Sequence, residues 1–327
     1  MLPKNTPKTL NLRQMIEAQN NNSVQDQGGN SSKPLLDAVF GNSEEQILKI
    51  QSKSVDIICI DPPYLYLKNQ KLERPFDENL FFQQCNRILK NNGFIILFGR
   101  GTSFYRWNCI LEKLGLEFKE EIVWDKGYTS SPVLALSRVH ETISILGKGK
   151  AKIKESRIPY LEQKNFNFSS IHQDLKRIKS SLSNPESLQA MEKYLISSEI
   201  DYNQGKKMGF NATITGVRLE QDRSVKTFQS IITGMKEKSI VRENRLHNNT
   251  IHPTQKPTRL LERLLLLCLP DKPKEEIQIV DFFAGSFSCG EACYNLGINF
   301  KGFEIDEEYY NAGVERLRKI QFQTSLF

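Results

Sequence analysis

The apolar residues of this chain fall into short continuous runs, with amphipathic stretches between them. Val55-Asp56-Ile57-Ile58-Cys59-Ile60 and Phe94-Ile95-Ile96-Leu97-Phe98 are almost uninterrupted. Runs of that length without polar alternation predict strands buried on both faces. Weaker versions at 35–40, 120–124, 142–146, 277–280 and 300–303 read the same way. Helical spacing predicts helices at 43–50, 78–90, 103–114, 257–269, after 286 to Leu296, and 307–320. Ser43 with Gln46 three residues on forms a capping box, Gly93 punctuates the end of one helix, and Pro257 opens another. Strands alternating with helices predict an α/β fold: a mostly parallel central sheet with helices on both faces.

The rhythm fails in two places. Residues 1–33 are rich in Asn, Gln, Ser and Gly and predict a flexible arm. Residues 150–250 are polar and basic, and their hydrophobic runs are short. Tyr160, Phe166, Phe168, Tyr194, Tyr202, Phe210 and Phe228 are scattered through them. This stretch predicts an insert with a small aromatic core and a helix near 185–196. The expected organisation is an arm (1–33), one half of the main domain (34–149), the insert (150–250) and the other half (251–327).

Composition adds little to this except through charge. The chain has 327 residues, 39% hydrophobic and 25% charged, enough for a sizeable core. It has no signal peptide, and its longest apolar run, Leu264 to Leu269, is too short to span a bilayer. A cytoplasmic protein without membrane association is expected. Six cysteines are scattered without a CxxC pair, so buried thiols are expected rather than a metal site. His247 and His252 have no clustering ligands, and no metal is assigned. Residues 150–250 hold 18 Lys and Arg against 11 Asp and Glu, an excess equal to the +7 of the whole chain. Positive charge concentrated in one segment points to a polyanionic partner.

Three strand ends collect candidate chemistry. Asp61-Pro62-Pro63-Tyr64 follows the first buried strand. The prolines fix φ and lack N–H donors, leaving a stiff acceptor pair beside a ring. That suits a flat ring bearing an amino group. Asp281-Phe282-Phe283-Ala284-Gly285-Ser286 and Glu304 form the ends of a strand–turn–helix–strand unit. A small-residue turn with an acid 23 positions after Asp281 suits an adenosine, held by its ribose hydroxyls. Neither a full GxGxxG nor a Walker lysine is present, which disfavours dinucleotides and nucleoside triphosphates. A nucleoside without pyrophosphate fits better, and S-adenosylmethionine is one.

Taken together these segments resemble the adenine-N6 and cytosine-N4 amino-methyltransferases of DNA. The resemblance covers about two thirds of the chain. Asp61, Pro62, Pro63 and Tyr64 match the family's catalytic tetrad. His252-Pro253-Thr254-Gln255-Lys256-Pro257 is similar to the segment before its cofactor strand. Asp281, Phe282, Phe283, Ala284, Gly285 and Ser286 are similar to its cofactor loop. Glu304, followed by Ile305, matches its ribose-binding acid, and Thr254, Gln255 and Lys256 are expected near the cofactor. Trp124-Asp125-Lys126 and His140-Glu141 also recur in the family. The tetrad precedes the cofactor loop, as in the β subgroup. That order implies a circularly permuted Rossmann-like methyltransferase fold, with target recognition in the insert.

The implied activity is direct methyl transfer from S-adenosylmethionine to N6 of a flipped-out adenine in double-stranded DNA. Asp opening the tetrad favours adenine by resemblance. Cytosine N4 is the alternative base, and a non-catalytic DNA-binding subunit is an alternative of another class. An oxidoreductase on a similar sheet is opposed by the missing dinucleotide turn. A homodimer and a cognate restriction endonuclease are partners the resemblance allows. Two positions depart from the family: Asn42, where many relatives carry Asp, and Phe287, where the loop usually carries Gly. The second predicts weaker cofactor binding or a shifted loop path.

Overall fold

The computed structural model describes residues 33–64, 74–128, 135–183, 185–197, 220–246 and 250–323. The predicted arm up to residue 32, the loop at 65–73, Tyr202, Phe210 and His247 lie outside the described residues. The chain divides into two compact units, Met1–Lys154 with Lys238–Phe327, and Glu155–Glu237.

The first unit is built on an eight-stranded sheet. Its strands are β1 (Leu36–Phe40), β2 (Val55–Ile60), β3 (Leu89–Gly99), β4 (Leu116–Asp125) and β5 (His140–Lys148). After the second unit come β8 (Ile240–Arg242), β9 (Gln278–Asp281) and β10 (Asn299–Glu304). The order across the sheet is β1-β10-β9-β2-β3-β5-β4-β8. Every adjacent pair is parallel except the two made by β5. Thus β9 lies directly beside β2, with Ile57 opposite Ile279 and Ile58 opposite Val280, although the insert separates them in sequence.

All six residues of β2 are buried, because helices cover both sheet faces. Ile57 and Cys59 pack with leucines of α8 (Thr258–Cys268) and with α9 (Ser288–Leu296). Ile58 and Ile60 pack with Phe81 and Phe82 of α2 (Glu78–Ile88) and Trp107 of α3 (Gly101–Lys113). The alternation along one strand therefore serves two cores at once. α1 (Ser43–Leu48) and α10 (Glu307–Gln323) complete the unit. Among the described residues no helix is long and apolar enough to cross a membrane.

Element ends shifted in places. The helix predicted to reach Lys90 stops at Ile88, because Leu89 turns extended (φ −70°, ψ 130°) and starts β3, so Gly93 lies within the strand and does not end the helix. β8 was not foreseen, since three residues are too few to show periodicity.

The second unit, Glu155–Glu237, is narrower than the predicted insert. It carries α4 (Tyr160–Gln163), α5 (Phe168–Leu182), α6 (Pro185–Ser197) and α7 (Glu220–Thr233). A two-stranded ribbon of β6 (Arg157–Ile158) and β7 (Met235–Lys236) joins its ends. Its core contains Met191, Tyr194 and Val225, with Phe228 packed against them. Phe166 and Phe168 do not join it; they are 61% and 80% exposed.

Candidate active site

Parallel strands end on the same edge, so β1, β10, β9 and β2 bring their carboxyl ends together. A cleft of about 310 Å³ opens there. Asp61, Pro62, Pro63, Tyr64, Thr254, Gln255, Lys256, Asp281, Phe282, Phe283, Ala284, Gly285, Ser286, Glu304 and Ile305 all line it. The residues assigned to the tetrad, the cofactor turn and the ribose-binding acid thus reach one cavity.

Asp61 has both carboxylate oxygens engaged. Tyr64 donates its hydroxyl to Oδ1 at 2.5 Å, and Lys256 places Nζ 2.5 Å from Oδ2. The carbonyl of Tyr64 accepts from Ser103 Oγ at 2.9 Å, which pins the end of the tetrad to α3. The Lys256 ammonium also donates to Glu141 Oε2 at 3.0 Å, and the other oxygen of Glu141 pairs with Lys126. The result is an alternating row of charges, Lys126, Glu141, Lys256 and Asp61. Aromatic faces line it: Lys256 Nζ is 5.0 Å from the Phe98 ring centre, and Lys126 Nζ is 5.1 Å from that of Trp124.

Burial opposes the charges of Glu141, Lys256 and Lys126, and the balance with their neighbours differs among the three. For Glu141 burial is outweighed by Lys256 and Lys126, which hold the carboxyl down to about 2. For Lys256 burial is outweighed by Asp61 and Glu141, which raise the ammonium above the usual lysine range. For Lys126 burial prevails and the ammonium is lowered. Glu141 and Lys126 were not among the predicted site residues. Their signal was available in the recurring Trp124-Asp125-Lys126 and His140-Glu141 pairs, but β4 and β5 had to be neighbours for it to mean anything.

The other side of the cleft is a turn built for close approach. Gly285 has φ +49°, and a side chain there would meet the His252 ring at 3.4 Å. Glu304 accepts from Gly285 N at 2.8 Å and from Asp306 N at 2.8 Å, fixing its carboxylate at the cleft. Burial raises the Glu304 carboxyl and pushes that of Asp281 up to about 8. Burial also pushes the His252 imidazole down to about 4, so it is neutral. The His252 ring packs edge-on against Tyr309 at 4.3 Å, while its Nδ1 lies 3.0 Å from Thr254 Oγ1. Gln255 folds back to accept from Ile251 N at 3.1 Å. Of the three residues expected at the cofactor, Lys256 is the one the fold delivers to Asp61.

The two departures from the family pattern have structural answers. Asn42, and not the expected Ser43–Gln46 capping box, caps α1 by accepting from Glu44 N at 2.8 Å, and it lines the cleft. Phe287 keeps the left-handed backbone that a glycine would supply, with φ 55°. Its ring turns away from the cleft into the core. It occupies a slot where a Cβ on Gly302 or Gly313 would come within 2.8 Å or 2.2 Å of ring carbons.

Among the described residues acidic side chains outnumber basic ones in the lining: Glu44, Asp61, Glu141, Glu304 and Asp306, with the Asp281 carboxyl raised by burial, against Arg74 and Lys256. Such a donor set repels phosphates and favours a cationic ligand. It fits a nucleoside that carries a sulfonium and an ammonium, and it does not fit a dinucleotide.

Comparisons with known proteins agree with this chemistry. The family model for N6/N4 methyltransferases, described as DNA methylase, matches residues 55–315. The chain is 28% identical over 300 residues to the DNA adenine methyltransferase YhdJ of Escherichia coli (strain K12), covering 88% of this chain and 84% of that protein. It is 25% identical over 308 residues to the type II methyltransferase M.HinfI of Haemophilus influenzae, covering 86% and 68%. Two solved structures share its fold. The M1.HpyAVI–SAM complex has a TM-score of 0.50 and 18% identity, covering 86% of this chain and 100% of that one. The PvuII DNA methyltransferase (cytosine-N4-specific) has a TM-score of 0.51 and 13% identity, covering 88% and 94%.

Proposed function

This chain belongs to the N6/N4 DNA methylase family, and we propose that it methylates the N6 amino group of adenine in double-stranded DNA. One observation carries the reading. The Asp61 carboxylate and the Pro62 carbonyl stand at the end of β2, beside the Asp281–Ser286 turn of the neighbouring strand. An Asp at the head of the tetrad and the likeness to YhdJ, named a DNA adenine methyltransferase, favour adenine over cytosine.

Bound S-adenosylmethionine would supply an electrophilic methyl group. Glu304 would accept from its ribose hydroxyls, the Asp281 carboxyl would be available to its cationic groups, and Gly285 would let it approach the backbone. The remaining work falls to the tetrad. The adenine amino nitrogen is a weak nucleophile, because its lone pair is delocalised into the ring. Asp61 Oδ1 and the Pro62 carbonyl would accept its two hydrogens, localising that pair and aiming it. Lys256 keeps Oδ2, so Oδ1 is the oxygen offered to the base. For this the Tyr64 hydroxyl must leave Oδ1, and its ring then stacks on the base. Asp61 is the nearest base for the surplus proton. Positioning and fixed charges supply the acceleration. The target must leave the duplex stack, at a cost of about a few kcal/mol.

The same reading places target recognition in the Glu155–Glu237 unit and the enzyme in the cytoplasm. Its partners would be a second copy of the chain and a cognate endonuclease. Light scattering tests the first partner, and a nuclease assay on unmethylated DNA tests the second. The central experiment incubates purified protein with duplex DNA and methyl-labelled S-adenosylmethionine, then digests the DNA to nucleosides. N6-methyladenine is expected, and absent from the Asp61→Ala reaction while DNA binding persists. N4-methylcytosine would overturn the base assignment. No label on any duplex would overturn the activity.

A further inference from the structure

β8 is three residues long, and the segment around it is fastened to β4 and the turn after it almost residue by residue. Val123 N donates to Ser239 O at 2.7 Å, Val241 pairs with Trp124, and Glu243 N donates to Asp125 O at 3.1 Å. A Cβ on Gly127 would come within 2.7 Å of the Asn244 side chain. Arg245 Nη2 donates at 2.5 Å to the carbonyl of Pro253, in the segment that carries Lys256. Amid these contacts the Trp124 indole donates Nε1–H to the carbonyl of Glu243 at 2.7 Å. The Glu243 side chain is held in turn by Arg263 of α8 at 3.0 Å, and that arginine is 2% exposed.

The face of that buried indole carries both cations of the charge row. Lys126 Nζ lies 5.1 Å from its ring centre and Lys256 Nζ lies 5.8 Å from it. Both distances fall within cation–π range, and tryptophan gives the strongest contact of this kind. Glu141 bridges the same two ammonium groups. An ammonium has three donors. Lys256 commits two of them to Asp61 and Glu141, and the rings of Phe98 and Trp124 face the same ammonium.

A buried indole N–H calls for a partner. Here the partner is a backbone carbonyl, which no side-chain rotation can withdraw, so the ring face stays turned to the lysines. A ring face favours both cations without competing for the hydrogens that Asp61 and Glu141 accept. A third carboxylate in its place would draw Lys256 away from Asp61. The charged groups acting around the ring are Lys126, Lys256, Glu141 of β5, Asp61 at the end of β2 and Arg245 beyond β8.

We propose that Trp124 is a positioning residue for methyl transfer: its indole, anchored on the Glu243 carbonyl, holds the Lys256 ammonium against Asp61 Oδ2 and so leaves Oδ1 for the target amino group. The inference rests on the reading of the chain as a DNA methyltransferase, and it adds a residue that is not part of the cleft lining. Trp124 acts on how Asp61 is presented and not on how the substrates are held. Its loss should therefore fall on kcat and not on KM.

The test follows labelled methyl incorporation into duplex DNA by the full chain, well below the melting temperature of every variant. Trp124→Leu removes both the face and the anchor. It should lower kcat about tenfold, the worth of one desolvated cation–π contact, with KM for DNA and for S-adenosylmethionine close to wild type. Trp124→Phe keeps a weaker face without the N–H and should fall between. Leu264→Ala, at a fully buried position of α8 outside the cleft lining, is the control for lost packing. It should melt earlier yet keep kcat. In a Lys256→Met background, Trp124→Leu should cost little further, because the cation it serves is gone. Fluorinated tryptophans placed at position 124 by amber suppression keep the shape and the N–H while withdrawing charge from the ring face, so they decide the matter even where Trp124→Leu does not fold. With them kcat should fall stepwise as fluorines are added. Equal losses in the wild-type and Lys256→Met backgrounds, a flat fluorinated series, or a rise in KM that accounts for the whole loss overturns the role. A wild-type protein that methylates no DNA refutes the activity itself, and the role with it; an active wild type with an unaffected Trp124 series refutes the role alone.

Discussion

Lys256→Met tests the charge row most directly, because it keeps the buried stem and removes the ammonium. That ammonium lies 2.5 Å from Asp61 Oδ2 and 3.0 Å from Glu141 Oε2. At an effective dielectric near 20, a unit pair about 4 Å apart is worth about 4 kcal/mol. Two such attractions are opposed by the several kcal/mol needed to bury the ion. Removing one partner of a buried pair costs about 3–5 kcal/mol in practice, and that is the loss expected in urea unfolding. A second readout isolates the electrostatics. Glu141 is held down to about 2 with Lys256 as its strongest charged partner, and without it two carboxylates face each other across a vacated site. They resist being ionised together. The acid limb of kcat against pH, followed by labelled methyl incorporation, should move up by about one unit. Lys256→Arg keeps the charge but changes its shape, and should recover the pH profile better than the rate. Adding Glu141→Gln to Lys256→Met removes one of the facing acids and should return both stability and profile part of the way. A Lys256→Met protein that unfolds like wild type and keeps its pH profile would refute the role given to this lysine.

Three further outcomes are expected. Tyr64→Phe removes the hydroxyl from Asp61 Oδ1 but keeps the ring, so steady-state kinetics should show KM for DNA unchanged or lower; Tyr64→Ala should lose about 1–3 kcal/mol of DNA affinity with the stacking face. Phe287→Gly relieves about 1–2 kcal/mol of left-handed strain but empties the slot over Gly302 and Gly313, a loss of about 3–5 kcal/mol. Urea unfolding should therefore show a net loss near 2–3 kcal/mol, while titration calorimetry shows unchanged S-adenosylmethionine binding, because the ring points away from the cleft. His252 is depressed to about 4 in the fold. Its unfolded form takes a proton near 6.5, so stability present above that value should be lost as pH falls toward 4, by about 3 kcal/mol. Denaturation of His252→Asn across that window should lack this loss.

The periodic elements were legible because their burial is two-sided. β2 could be read from Val55 to Ile60 since helices cover both faces, and α8 from its leucines since one face meets the sheet. The tetrad and the Gly285 turn were legible for a related reason: proline, glycine and acid at a strand end are local demands of backbone chemistry. Phe287 was read by its identity, as a lost glycine. Its backbone nonetheless adopts the glycine conformation, because the ring finds a slot over two other glycines far along the chain. Phe166 and Phe168 were read as core by composition, yet a left-handed turn presents them to solvent.

By itself the sequence determined which strand ends carry chemistry, and from their order that the catalytic stretch precedes the cofactor loop. Only the tertiary structure decided what surrounds Asp61. β9 had to pair with β2, and β5 had to insert antiparallel between β3 and β4, before Lys256, Glu141 and Lys126 could form one row. Those residues lie 195, 115 and 15 positions apart in their bonded pairs. Local propensity specifies a strand or a turn, but the ionisation of a buried group depends on neighbours that only packing supplies.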